Sequence, residues 1–116
     1  MESGVRNFTC VDPFGRSWQV KFLWHQVGIA IRHADTIDCK FHLVSEEEET
    51  DKVIALQHPD LKSLAQELGR EISDAWVIRL AQAHLRYMIE SGEDMEKTLV
   101  TMGMDDIRRA QGTVAA

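Results

Sequence analysis

Only two cysteines, Cys10 and Cys39, stand in the 116 residues, and neither sits in a CxxC pair. Two are too few for a disulfide scaffold, and both read as small buried hydrophobes. No apolar run approaches the roughly 18–20 residues needed to span a bilayer, so no membrane segment is expected. Met1 to Gly15 lacks the basic start and apolar centre of a secretory signal, and the expected setting is soluble and cytoplasmic. Cations are scarce in one half of the chain. Residues 46–116 carry eight Lys/Arg against fifteen Asp/Glu, or −7, while residues 1–45 carry five against four, or +1. Sequence-independent binding to nucleic acid or anionic membrane draws on clustered Lys and Arg, so the acidic half argues against both.

Catalytic signatures are missing too. Nothing matches GxSxG, a P-loop, a dinucleotide glycine fingerprint, HxxxH, HExxH or a Cys/His finger. No catalytic residue, metal ligand set or cofactor is assigned, and the balance leans against an enzyme.

What is present is periodicity. Val5 to Val11 reads as a strand, and Asp12-Pro13-Phe14-Gly15 as the turn of a hairpin, with Pro presetting φ and Gly closing the turn. Trp18, Val20, Phe22 and Trp24 then alternate with Ser17, Gln19 and Lys21 as a half-buried strand. His25-Gln26 reads as a short break before a strand with Val27, Ile29 and Ile31 on one side. His33 to Thr36 is the next turn, and Ile37, Cys39, Phe41 and Leu43 mark a further strand. The wet face of this set collects Gln19, Lys21, Arg32, Lys40 and His42.

Five acids in positions 46–51 read as a solvated connector across 45–58, with Lys52 to Leu56 as a candidate fifth strand inside it. His58-Pro59-Asp60 opens a helix with Pro in its first turn. Leu61, Leu64, Ala65 and Leu68 form its stripe, and Gly69 stops it. Ser73 to Gly92 is the richest stretch. On a helical projection Arg79, Gln82, Arg86 and Glu90 share a wedge of roughly 80°, and almost all the rest is apolar. Such a helix must be covered on two or three sides. Residues 94–102 mix a helix start with strand composition, Asp105 to Ala110 reads as a short helix, and 112–116 as a frayed tail.

The expected fold is α+β: an antiparallel four- to five-stranded meander over 5–44, packed on one face by a long central helix and shorter helices within 59–111, all in one domain. Two places are candidates for function. His84 projects into the apolar arc of the long helix, where a buried imidazole needs a partner. With Tyr87 it would line a ligand pocket between sheet and helix. Leu23, Trp24 and His25 form an aromatic cluster at a strand end, of the kind found at contact surfaces. His25 and His33 lie about 25 Å apart on an extended strand and share no metal. His42 and Cys39 point to opposite faces.

Three functions are weighed. First is a small acidic, non-enzymatic interaction module (adaptor, inhibitor or regulatory subunit) binding a protein partner or itself as a homodimer. The alternative is a small-molecule binder or modest enzyme at His84 and Tyr87. Last comes a single-strand nucleic-acid binder using Lys21, Arg32 and Lys40, whose face lacks outward aromatics for stacking bases.

Overall fold

The computed structural model describes residues 7–28 and 36–115. It is an α+β fold in which a five-stranded mixed sheet packs against helices. The order along the chain is β1 (Phe8–Val11), β2 (Ser17–Gly28), β3 (Thr36–Ser45), β4 (Glu48–Gln57), α1 (His58–Leu68), α2 (Asp74–Ser91), β5 (Leu99–Met102) and α3 (Met104–Ala115). The strands lie side by side in chain order. The first three pairings are antiparallel, but β5 runs parallel to β4, reached through α1 and α2. The sheet is therefore mixed, not an antiparallel meander throughout. A parallel partner needs a long crossover, and two helices supply it. The expected turn at His33 to Thr36, with Ile29, Ile31 and Arg32, lies largely outside the described residues.

Asp12 ties the β1–β2 turn. Its carboxylate accepts from the backbone N–H groups of Phe14 and Arg16 at 2.9 Å, from Arg16 Nε at 3.0 Å and from Trp18 Nε1 at 3.0 Å. Gly15 takes φ 84°, a left-handed conformation that only glycine adopts cheaply. Strand β2 runs straight through His25-Gln26, the expected break. It does so with a bulge: Phe22 pairs with Phe41 and Trp24 with Lys40, leaving Leu23 as the extra residue. A bulge shifts the alternation by one, so Trp24 leaves the face of Trp18, Val20 and Phe22.

The acidic run is a hairpin, not a connector. Ser45 pairs with Glu48, and only Glu46 and Glu47 turn the chain, Glu46 at φ 50°. Residues 48–57 form one strand, and the fifth strand is Leu99–Met102 instead of 52–56.

Between β2 and β5 one face carries Trp18, Val20, Cys39, Phe41, Leu43, Ile54, Leu56, Val100 and Met102, all buried. Against it α2 contributes Trp76, Val77, Ile78, Leu80, Ala81, Leu85, Met88 and Ile89. Ser73 caps α2, accepting from Trp76 N–H, and Gly92 ends it at φ 81°. The helical layer is shared: α2 has 18 residues, α1 has 11 and α3 has 12. Helix α3 runs on past Gln111 because Ile107 and Ala110 are buried, Val114 packs on the core and Gln111 Oε1 accepts from Trp76 Nε1 at 2.7 Å.

Candidate functional site

The pairing register sorts the strand side chains into two faces. Away from the helices it aligns four rows: Thr9, Gln19, Val44 and Glu49; Lys21, His42 and Asp51; Trp24, Lys40, Val53 and Leu99; and, further along, Asp38, Ala55 and Thr101. We call this the outer face. Trp24 is 40% exposed and Leu99 60% exposed. The Lys40 ammonium stands 5.7 Å from the Trp24 ring centroid. His42 Nδ1 lies 2.6 Å from Asp51 Oδ1 and Nε2 lies 3.3 Å from Glu49 Oε1, while Lys40 Nζ lies 3.6 Å from Asp51 Oδ2. The hydrogen bond to Asp51, with the charges of Asp51 and Glu49, raises the His42 pKa above its ordinary value against a smaller effect of burial. The same bond lowers that of Asp51. Charge on this face is polarised by strand: Lys21 on β2, Glu49 and Asp51 on β4.

Of the expected cluster, Leu23 sits in the bulge, 41% exposed, and Trp24 on the outer face. His25 pairs with buried Cys39 on the helix side, and its Nε2 lies 3.4 Å from Asp74 Oδ2 at the start of α2. Strand alternation parts His25 from Trp24, and the bulge decides that Trp24 is the one facing away from the helices.

His84 and Tyr87 line a cavity of about 140 Å³ between α2 and α3, together with Arg86, Asp106, Arg109 and Thr113. No residue of the sheet lines it, contrary to the expected position between sheet and helix. His84 is 5% exposed and its Nδ1 has no hydrogen-bond partner among the described residues. Burial depresses its pKa, with Asp106 and Arg109 pulling in opposite senses. The Tyr87 ring stacks at 6.1 Å from the imidazole and carries the Arg109 guanidinium 3.9 Å above it. Arg109 Nη2 also bonds Asp106 Oδ1 at 2.9 Å, and Asp106 Oδ2 accepts from Gly103 N–H.

Two polar residues escaped sequence reading. Asp12 is held at a pKa of about 2: burial works against its charge, but the hydrogen bonds from Trp18, Arg16 and Phe14 outweigh it. Lys52 is 2% exposed, and its ammonium donates to the carbonyls of Met95 at 2.7 Å and Lys97 at 2.5 Å. Burial lowers its pKa. Parity was the available signal, since Lys52 alternates in phase with Ile54 and Leu56. Burial also pushes the Cys39 thiol up to about 12 and that of Cys10 to about 11. Neither is a ready nucleophile.

Among the described residues no three His, Cys, Asp or Glu side chains gather as a metal requires, and no helix is long and apolar enough to cross a membrane. Compared with family models, characterised proteins and solved structures, the chain matches none.

Proposed function

We propose that this chain is a non-enzymatic interaction module whose docking surface is the outer face of its sheet. The observation that carries the reading is Trp24, turned outward by the bulge at Leu23 and set in one row with Lys40, Val53 and Leu99. A partly exposed indole beside aliphatic side chains is the usual anchor of a protein interface, and a polar rim surrounds such anchors. Here Lys21, His42, Glu49 and Asp51 supply the rim.

Trp24→Ala tests this. The expected cost in a urea melt is under about 1.5 kcal/mol, since much of the ring is already wet, with acrylamide quenching reduced because the accessible indole is gone. A cost of about 3–5 kcal/mol, typical of a core Trp, would make Trp24 a structural residue and remove the surface its anchor.

The second reading, a small-molecule binder at His84 and Tyr87, is favoured by the unpaired Nδ1 beside the α2–α3 cavity. An unsatisfied buried polar atom costs about 1–3 kcal/mol, so His84→Leu should raise stability if the imidazole serves a ligand and not the fold. Lower stability would assign it a structural part. Single-strand nucleic-acid binding ranks third. Trp24 does give the outer face one aromatic, but Glu49 and Asp51 offset Lys21 and Lys40 there, and Arg32 lies outside the described residues. No mobility shift of single strands is expected at physiological salt.

A further inference from the structure

We propose that the partner taken by the outer face is a second copy of this chain, docked face to face about a two-fold axis running parallel to β3. The inference rests on the reading of that face as a docking surface and adds who occupies it.

Charge complementarity selects the arrangement. In a closed pair each patch meets itself, so the patch must be its own complement. The outer face carries Lys21 on β2, to one side of β3, and Glu49 and Asp51 on β4, to the other. A two-fold axis along β3 exchanges the two sides. It therefore sets Lys21 of one copy over Asp51 of its partner, in the same row, and Gln19 over Glu49. An axis across the strands would instead lay Lys21 towards Lys21 and the β4 acids towards each other. The strand-parallel axis also brings Trp24 over Val53 and Leu99 of the partner, which joins the two exposed apolar groups of that row on both sides of the axis.

The area is adequate. Three strands of 12, 10 and 10 residues with two short edges give a face of about 600 Å² at the usual strand spacing and rise. Two copies then bury about 1,200 Å², the lower bound for a specific interface. Asp38, Lys40 and His42 all lie on the axis itself, so like charges approach there, Lys40 and His42 each beside Asp51 of its own chain. That arrangement places a ceiling on affinity and gives the inference its sharpest test.

Sedimentation of the full chain decides it. The wild type is expected to dimerise in a concentration-dependent way, weakened at least about tenfold by Trp24→Ala and by Leu99→Lys. Lys21→Glu should weaken it and Lys21→Glu with Asp51→Lys restore it, while Lys40→Leu should tighten it by removing the like charges on the axis. A monomeric wild type overturns the inference, as does a dimer indifferent to Trp24→Ala and Leu99→Lys or one loosened by Lys40→Leu. The urea melt of Trp24→Ala separates the two failures. A monomer with a mild melt ends the homodimer alone, whereas a severe melt ends the docking surface as well.

Discussion

On the helix side of the sheet, Trp18, Val20, Phe41, Leu43, Ile54 and Leu56 are buried and closely covered. On the other side the same strands hold Lys21, Trp24, Lys40, His42, Glu49 and Asp51, partly or fully wet. Among the described residues one lysine crosses this division: Lys52 sits on the covered side, as dry as its apolar neighbours. One aromatic crosses it the other way, Trp24. The crossings have different causes. Lys52 is held by two backbone carbonyls of the segment leading to β5, so a long-range hydrogen-bonding need overrides polarity. Trp24 is displaced by a single extra residue, Leu23. Sidedness in this sheet thus follows register first and hydrophobicity second.

That contrast can be broken by substitution. The largest effects belong to the covered side, where Leu80→Ala and Leu85→Ala should each cost about 2–5 kcal/mol in denaturant unfolding. Lys52→Ala should follow at about 2–4 kcal/mol, because two charge-assisted hydrogen bonds vanish and two carbonyls lose their donor. Amide exchange at Leu99–Met102 should accelerate in that variant even under native conditions. A cost below about 0.5 kcal/mol would reduce Lys52 to a filler.

The histidines sharpen the same comparison through pH. His42, on the outer face, has a raised pKa, so its stabilising contribution is complete below the unfolded value of about 6.5 and fades as pH rises through the folded value. His84, buried, has a lowered pKa, so the folded state resists its proton and stability falls as pH drops below about 6.5. His42→Gln and His84→Gln should therefore change the slope of stability against pH in opposite senses between about pH 5 and 8. Identical slopes would cancel the distinction. Asp12, depressed to about 2, adds stability above the ordinary carboxylate value that is lost as pH falls towards 2. The smallest effect is expected at Arg79, exposed on α2: Arg79→Ala should stay within about 0.5 kcal/mol.

Local signals were legible wherever one element decides its own conformation. The alternation of Trp18, Val20 and Phe22, the Gly69 stop and the dry arc of α2 ending at Gly92 all read correctly. Illegible were features set by pairing. A bulge at Leu23 depends on what β3 presents opposite it, and nothing in LWHQ announces that the strand continues. Glu46-Glu47 turns the chain although neither residue favours a turn, because the strands on both sides are already paired. The parallel fit of Leu99–Met102 beside β4 needs partners 46 residues away, Val53 to Leu99. Of the candidate site residues, Trp24 stands out by composition beside Leu23 and His25, but the register that turns it away from the helices is not legible in the sequence. His84 reads as part of the dry arc of α2, but the cavity beside it is closed on its far side by α3, whose length depends on core contacts that periodicity alone does not reveal.

The parallel edge has a kinetic consequence. The first three pairings join neighbours in the chain and close short loops, whereas β5 can dock only after α1 and α2 have crossed the sheet. Loop-closure entropy makes such distant contacts slow and late. The hairpin from Thr36 to Gln57 should already be structured at the folding barrier, with β5 and the carbonyl anchor of Lys52 added on its downhill side. Substitutions at Met102 would then speed unfolding and leave refolding nearly untouched, while substitutions at Phe41 slow refolding. Stopped-flow measurements of both rates distinguish them, and equal fractional effects at the two positions would put β5 in the nucleus. The last strand to join lies at the edge of the sheet and carries Leu99. A chain caught before β5 docks would therefore offer the long open edge of β4 to its neighbours, and passage through this final step governs how long that edge stays exposed.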